Sequence, residues 1–175
     1  GLRTYLTAES SLLLAKIERK DFALPKEDVN LQSLRAELSN NAQQIARTHS
    51  ANIEILPDLG ILTGKPLIFQ GERTLLLSLL DNLLTNASSA SAESNKNIVL
   101  TIHVNEKLTF IVRNAGNIPE ELRPRLFQKY ATFGKKKGNG LGLYIAKLIT
   151  EAHGGELTYS TGSGETFFAA QMPLN

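Results

Sequence analysis

Residues 72–90 read ERTLLLSLLDNLLTNASSA, and this stretch decides the fold. Its apolar residues recur every three or four positions and cover more than one side of a helix, which predicts an α-helix that is largely buried. The positions with this spacing are Leu75, Leu76, Leu79, Leu80, Leu83, Leu84 and Ala87. Ser78, Asn82, Asn86 and Ser89 are also three or four residues apart, so a polar stripe crosses one face of the same helix.

The composition of this stripe is unusual for a solvent-facing surface. Such faces usually carry Lys, Glu and Arg, whereas this one carries short amides and hydroxyls that suit close contact with a ligand. An asparagine amide oxygen is also a good ligand for a hard cation. The alternative interpretation is the ordinary polar face of an amphipathic helix.

Two runs of alternating polarity follow the helix. Residues 98–104 and 108–112 predict an antiparallel hairpin joined by residues 105–107. The second strand ends on Asn114-Ala115-Gly116, where a polar side chain followed by glycine can point at the edge of a ligand's ring system. An ordinary turn is the alternative, because Asn and Gly are common turn residues.

A glycine-rich loop, GNGLGL at residues 138–143, leads into a predicted helix over 141–153. Glycines let the backbone approach an anion, and the dipole of the following helix favours phosphate. The loop lacks the Lys-Ser/Thr ending of a P-loop, and no strand directly precedes it as in a Rossmann motif, so a flexible hinge remains the alternative. Before the glycine-rich loop, we predict a short helical piece over residues 119–127 and a polar loop over residues 129–137. After the helix, we predict two strands, over residues 157–160 and 166–172.

The N-terminal side adds more helices. We predict a helix over 31–48 and short strands over 52–56 and 67–70. Residues 3–19 place Leu6, Leu13 and Ile17 near heptad spacing, which predicts a helix that packs against another helix. We therefore divide the chain into residues 1–24 and 25–175, and expect a mixed, mostly antiparallel sheet with helices on one face.

The composition excludes several functions. A net charge of +2 with interspersed signs provides no field for holding nucleic acid, and no apolar run approaches the ~20 residues that span a bilayer. The absence of cysteine excludes thiol catalysis, disulfides and cysteine-bound metal. A cytoplasmic location is expected, with membrane anchoring of a longer protein left open.

In this order, the three polar or glycine-rich segments resemble the N, G1 and G2 boxes of the GHKL ATPase family. Phe127 stands at the position of the F box, and residues 164–167 (GETF) resemble the last glycine motif. The resemblance runs from about residue 28 to the C-terminus. It is closest to the catalytic domain of sensor histidine kinases, in NLLTNA, LFQKY and GNGLGLYIAKLITEAHGGEL. It implies a two-layer α/β sandwich that binds ATP and Mg²⁺ beneath a flexible lid.

The resemblance also assigns roles to individual residues. It implies that Asn86 binds Mg²⁺, that Asn82 lies near the phosphates, and that Asn114 accepts a hydrogen bond from the adenine amino group in the G1 segment that contains Gly116. Thr166 would support the base through water. The phosphate cradle would be formed by the backbone of Gly138, Gly140, Leu141, Gly142 and Leu143.

Asn82 favours one branch of the family. Relatives that hydrolyse ATP, and the anti-sigma-factor serine kinases, place a glutamate there, and an amide cannot take a proton from water at neutral pH. A neutral imidazole is a nucleophile without such help. The resemblance therefore implies transfer of the γ-phosphoryl group to histidine.

Three departures from the family pattern support an alternative, a pseudokinase or nucleotide-sensing module without phosphotransfer. Asn114 replaces an aspartate, and Thr132 replaces a frequent arginine. Ser89 and Ala90 replace a basic and an aromatic residue. Lys129 or residues 135–137 could substitute for the missing basic groups. Loss of the charge at position 114 predicts weaker nucleotide binding or relaxed base choice.

None of the three histidines has the acidic neighbour of a phosphoacceptor. We expect His49, His103 and His153 to be structural, with His153 at a helix end where a positive charge suits the dipole. The resemblance then places the phosphoacceptor on a helical dimerisation domain upstream of this chain, in a protein expected to be a homodimer that serves a response regulator.

Overall fold

The computed structural model describes residues 8–19, 23–56, 67–131 and 140–174. The helices are α1 (Ala8–Glu18), α2 (Leu31–His49), α3 (Arg73–Ala90) and α4 (Gly142–Ala152), and a 3₁₀ turn spans Arg123–Arg125. The strands are β1 (Glu27–Asn30), β2 (Asn52–Leu56), β3 (Ile68–Gly71), β4 (Asn97–Val104), β5 (Lys107–Ala115), β6 (Glu156–Gly162) and β7 (Glu165–Pro173). Within these ranges, none of the helices has the length and hydropathy needed to cross a bilayer.

Five strands form one sheet in the order β2-β4-β5-β7-β6. β2 runs parallel to β4, and the remaining neighbours are antiparallel. β1 and β3 form a separate antiparallel pair. The predicted mixed, mostly antiparallel sheet is therefore confirmed.

One face of the five-stranded sheet forms the core. Alternate residues of β4, β5 and β7 are buried, as period-two side-chain alternation requires, and α3 and α4 pack on that side. The buried strand residues are Ile98, Leu100, Ile102, Leu108, Phe110, Val112, Phe168, Ala170 and Met172. All seven of the apolar α3 positions identified from the sequence are completely buried. The predicted two-layer α/β sandwich is thus confirmed.

The second helix closely matches its prediction. The side chain of Asn30 accepts a hydrogen bond from the Ser33 amide at 3.0 Å and caps the start of α2. Its apolar face, Leu34, Leu38, Ala42 and Ile45, is buried. The helix packs against α3, so the stripe-bearing helix is covered on one side by α2 and on another by the sheet.

The structure adds details that the pattern did not predict. β1 contains only four residues, of which Val29 alone is buried, so no alternation marked it as a strand. β5 begins at Lys107, which shortens the predicted hairpin loop to Asn105 and Glu106. In α1, Ile17 is buried but Leu12 is 61% exposed, and Leu6 lies outside the described residues.

His153 connects the two core helices. Its Nδ1 lies 2.8 Å from the Ile149 carbonyl oxygen, and its Nε2 accepts a hydrogen bond from the Glu72 amide at 3.0 Å. This pattern requires the neutral tautomer that carries its proton on Nδ1. Burial lowers the pKa of His153. These two contacts give His153 the structural role that the sequence predicted, and desolvation outweighs the raising effect of the Ile149 carbonyl on its pKa.

Candidate functional site

The polar stripe of α3 faces the start of α4. Asn82 donates from Nδ2 to the Ser78 carbonyl oxygen at 2.8 Å, with the Ser78 hydroxyl 3.3 Å away. This bond fixes the amide and directs its Oδ1 towards Gly142, where an added Cβ would lie 3.2 Å from that oxygen. Glycine at position 142 therefore lets α4 begin directly against Asn82. Asn86, one turn further along α3, is half-buried.

Gly140, within the glycine loop, packs against the backbone of Tyr130. Its φ is +69°, and a Cβ there would lie 2.5 Å from the carbonyl carbon of Tyr130. The Tyr130 amide donates to the Gly140 carbonyl oxygen at 3.0 Å. A side chain at 140 is thus excluded both by backbone conformation and by the close approach. Gly138, Thr132 and Lys135 to Lys137 lie outside the described residues.

The N-terminus of α4 is suited to an anion. Its N-cap residue is Leu141, whose side chain cannot accept a hydrogen bond. The first amides of a helix have no carbonyl partner within that helix, and the helix dipole adds partial positive charge there. Leu143 lies half-buried in this first turn. The predicted loop residues 140 to 143 are therefore brought together beside Asn82.

Asn114 is enclosed at the C-terminal end of β5, with 2% of its surface exposed. Its Nδ2 donates to the Ala115 carbonyl oxygen at 2.9 Å. Its Oδ1 is buried and has no hydrogen-bond partner among the described residues. Because a buried acceptor without a partner costs about 1–3 kcal/mol, a hydrogen bond from a ligand's N–H group would stabilise this oxygen.

The turn after Asn114 is held on two sides. Gly116 has φ +110° and donates from its amide to the Gly164 carbonyl oxygen at 2.7 Å. An added Cβ at Gly116 would lie 3.3 Å from the Ala90 carbonyl oxygen. The Ala92 amide donates to the Ala115 carbonyl oxygen at 3.0 Å. The turn therefore lies between the end of α3 and the β6–β7 hairpin.

Thr166 stabilises this turn from the last strand. It is opposite Asn114 in the β5–β7 register, and its hydroxyl donates to the Gly116 carbonyl oxygen at 2.8 Å. The Thr161 hydroxyl lies 2.9 Å from the Thr166 hydroxyl and accepts from the Ile118 amide at 2.9 Å. The sequence did not identify Thr161, because an isolated threonine in a strand carries no distinguishing pattern.

Asp81, directly before Asn82, was also missed. Its side chain is buried between α3 and α2, where Asn41 donates to its Oδ2 at 3.5 Å, and its Oδ1 has no partner among the described residues. Desolvation, with a smaller contribution from the negative charge of Glu37, raises the pKa of Asp81 to about 7. A buried carboxyl with a raised pKa therefore lies between α2 and α3, directly before Asn82 in the sequence.

A polar cluster connects α1 to this region. Glu18 Oε2 accepts from the Tyr144 hydroxyl at 2.5 Å and lies 2.9 Å from Lys129 Nζ, which is 5.1 Å from the centre of the Tyr144 ring. The hydrogen bond from Tyr144, followed by that from Lys129, lowers the pKa of Glu18. Lys129, predicted as a substitute for a missing basic residue, is thus paired with Glu18 in this structure.

These contacts bring together a buried acceptor at Asn114 and a helix start at α4 that is suited to an anion. In the described part of the chain, no three His, Cys, Asp or Glu residues cluster to hold a metal. A divalent cation would depend on an amide such as that of Asn86 together with oxygens of the ligand, which is how Mg²⁺ is often held.

Comparison with known proteins gives a consistent result. Residues 71–175 match the family described as histidine kinase-, DNA gyrase B-, and HSP90-like ATPase. Over 98% of its length the chain is 29% identical to the sensor histidine kinase TrcS of Mycobacterium tuberculosis, of which it spans 34%. It is 27% identical over 83% of its length to the sensor histidine kinase WalK of Bacillus subtilis, of which it spans 24%.

Solved structures give the same fold. The catalytic domain of the histidine kinase ThkA is 27% identical, with a TM-score of 0.68, and the match covers 85% of this chain and 95% of that domain. The histidine kinase AdeS of Acinetobacter baumannii has a TM-score of 0.71 at 18% identity, over 95% of this chain and 76% of that structure. At 18% identity, the match to AdeS shows a shared fold and no more.

Proposed function

Because this chain belongs to the family of histidine kinase-, DNA gyrase B- and HSP90-like ATPases, we propose that it is the ATP-binding catalytic portion of a sensor histidine kinase. It spans 34% of TrcS and 24% of WalK, and we place the phosphoryl acceptor outside this chain. A histidine on a helical dimerisation domain is the acceptor we propose.

Asn82 carries this proposal. It lies against the first turn of α4, where the phosphates of a nucleotide would bind, yet it carries an amide. Hydrolysis needs a base that removes a proton from water, and an amide is not such a base. A neutral imidazole attacks with a free lone pair, so the domain has only to bind, orient and compensate charge.

We assign the nucleotide contacts accordingly. The Asn114 Oδ1 accepts from the 6-amino group of adenine, Gly116 lets the turn approach the base, and Thr166 holds that turn and supports the base through water. Gly138, Gly140, Leu141, Gly142 and Leu143 provide the backbone for the phosphates. Asn82 positions the phosphates through the same first turn of α4.

Asn86 would bind Mg²⁺, one turn along the same face from Asn82. When bound, Mg²⁺ supplies positive charge to the phosphate oxygens. In the reaction the bond between the γ-phosphorus and the bridging oxygen breaks, a phosphorus–nitrogen bond to histidine forms, and ADP leaves. Lys129 is available to the phosphates only if its pair with Glu18 opens.

We further propose that the full-length protein is a homodimer that passes its phosphoryl group to a response regulator. Residues 1–24 would be the end of its dimerisation domain and the linker, and residues 25–175 the catalytic domain. The cytoplasm, where ATP is available, is the proposed location of this portion.

Calorimetry on residues 1–175 tests nucleotide binding. We expect saturable binding of Mg²⁺-ATP and Mg²⁺-ADP, and a loss of at least about tenfold in Asn86→Ala, since one cation ligand is removed. Asn40→Ala, an exposed asparagine on α2, is the matched control and should bind as the wild type does. The absence of binding at millimolar nucleotide would exclude the kinase and the sensing module alike.

Radiolabel transfer separates the remaining possibilities. With [γ-³²P]ATP, the full-length protein should acquire an acid-labile label that disappears when the upstream histidine is replaced. Nucleotide binding without any label would favour the sensing module, for which the amide at Asn114 is the motivating departure. Steady release of phosphate by residues 1–175 alone would favour hydrolysis instead.

A further inference from the structure

A second cleft lies between α2 and β2, and it shares no residue with the nucleotide site described above. Its volume is about 350 Å³. The residues that line it come from one face of α2 and from the edge strand: Arg35, Ser39, Ala42, Gln43, Ala46, Arg47, Asn52, Ile53 and Ile55. α2 separates this cleft from α3 and therefore from Asn82 and Asn86.

Small side chains leave this space open. Ala42 and Ala46 occupy successive turns of α2 on the side that faces β2, where longer side chains would fill the gap. Ile53 and Ile55 line the strand side of the cleft, because alternate residues of β2 point towards the helix layer. The cleft thus has apolar walls that can accommodate the body of a small organic molecule.

Two arginines give the cleft a single sign of charge. Arg35 donates from Nη2 to the Ile55 carbonyl oxygen at 3.3 Å, and its Nε is enclosed with no partner among the described residues. No described carboxylate lies within 4 Å of the charged group of Arg35 or Arg47, and none of the lining residues is acidic. A guanidinium so poorly satisfied is stabilised by an anion that can accept two parallel hydrogen bonds.

We propose that this cleft binds a small organic anion, either a carboxylate or a phosphate monoester, carried on an apolar body. The guanidinium of Arg35 would leave the Ile55 carbonyl and pair with the anionic group, assisted by Arg47 at the rim. Ser39, Gln43 and Asn52 add neutral hydrogen-bonding groups beside it. The volume lies within the range of small-molecule sites, and five of the nine lining residues are polar or charged, which suits an anionic group better than a wholly apolar ligand.

The test uses benzoate and phenyl phosphate as probes, with benzamide as the uncharged control for the carboxylate. Amide NMR spectra of ¹⁵N-labelled residues 1–175 are recorded during titration to about 10 mM probe. We expect saturable shifts at Ala46 and Ile53 with at least one anion, little change at Gly142, and the same shifts in the presence of Mg²⁺-ATP. The relative response to the two anions distinguishes a carboxylate site from a phosphate site.

Three variants make the assignment specific. Arg35→Gln should weaken binding at least tenfold, and Ala46→Phe should abolish it by filling the cleft while leaving both charges in place. Arg19→Gln, an exposed arginine of the N-terminal segment, should bind the probe as the wild type does. Dispersed spectra confirm that each variant is folded.

Several results would overturn the proposal. They are equal affinity for benzamide and benzoate, unchanged affinity in folded Arg35→Gln, displacement of the probe by Mg²⁺-ATP, or the absence of saturable shifts with both anions. Shifts caused only by an extended acidic peptide would identify the cleft as a peptide groove instead. None of these outcomes contradicts the proposed kinase function: displacement by Mg²⁺-ATP would place the probe in the nucleotide site, and the others do not concern the nucleotide contacts.

Discussion

At the scale of a single residue, Asn114 shows how a departure from a family pattern can fit its surroundings. An aspartate there would place a carboxylate oxygen against the Ala115 carbonyl oxygen, to which the amide instead donates at 2.9 Å. That donation leaves the Oδ1 without a partner, and this is the atom that we propose accepts from adenine. The amide thus keeps the acceptor and is itself held in one orientation.

Asn114→Ala should remove the preference for a 6-amino group. We expect the wild type to bind ATP about five- to tenfold more tightly than purine riboside triphosphate, which lacks this group, because one hydrogen bond to a buried acceptor is worth about 1 kcal/mol. In the variant the two affinities should become equal. Calorimetry with both nucleotides measures the difference, with Asn40→Ala as the control. A preference for ATP that persists in Asn114→Ala would place the adenine contact elsewhere.

Asp81→Asn should stabilise the domain at neutral pH. The pKa of Asp81 is about 7 in the folded chain against 3.8 for the free side chain, so the unfolded state releases its proton at lower pH than the folded state does. This linkage lowers the free energy of unfolding of the wild type by up to about 1.4 kcal/mol per pH unit between pH 4 and pH 7. The advantage of the variant should grow across the same window and be absent near pH 4.

Urea unfolding at several pH values measures this difference, and Glu106→Gln, an exposed carboxyl in the β4–β5 turn, is the control. An Asp81→Asn advantage that does not depend on pH would mean that the gain comes from packing and not from ionisation.

At the scale of elements, the docking of α1 depends on few contacts. Leu14 and Ile17 are buried, and Glu18 joins α1 to Tyr144 of α4 and to Lys129. Tyr144→Phe removes only the hydroxyl, and Glu18→Gln removes the charge. Both should accelerate hydrogen exchange in α1 severalfold while the α3 amides stay unchanged, since exposed ion pairs contribute little to global stability.

The pH dependence of α1 exchange provides a second measurement. Because the pKa of Glu18 is lowered by its partners, the contacts should hold above pH 4.5 and weaken as the pH falls through that lowered value. Glu18→Gln should lack this response. Faster exchange in α3 as well would mean that the variants destabilise the whole domain.

The sequence predicted the long elements well, because their signals are repeated. The leucines of α3 and the alternation in β4 and β5 each provide several independent matches to one period. β1 has four residues and one buried side chain, too few to reveal a period. Among the candidate residues, Asn82 and Gly142 follow from motifs, whereas Thr161 and the Glu18–Lys129 pair depend on tertiary contacts between distant segments.

At the scale of the whole molecule, Asp81 and His153 change the free energy of unfolding in opposite directions as the pH rises. Burial lowers the pKa of His153. The contribution of His153 to the free energy of unfolding is therefore complete above pH 6.5, and it decreases as the pH falls towards the pKa that the histidine has in the folded chain. Asp81 has the opposite slope between pH 4 and pH 7. Where the two windows overlap, the stability of the wild type should change little with pH.

Each single variant should show the pH dependence of stability that comes from the other residue. Asp81→Asn should lose stability as the pH falls below 6.5, and His153→Gln, if it folds, should gain stability over the same range. Thermal unfolding followed by circular dichroism measures both curves. Parallel curves for the two variants would show that other groups dominate the pH response.

The position of the last strand has a consequence for synthesis of the chain. β7 lies inside the sheet, between β5 and β6, and brings Thr166 opposite Asn114. A nascent chain therefore lacks this wall of its pocket until β7 (Glu165–Pro173) has been translated, some 80 residues after the end of α3 at Ala90. Since domains generally fold as units during translation, ATP can stabilise only the finished domain, and chains truncated before β7 gain no protection from it.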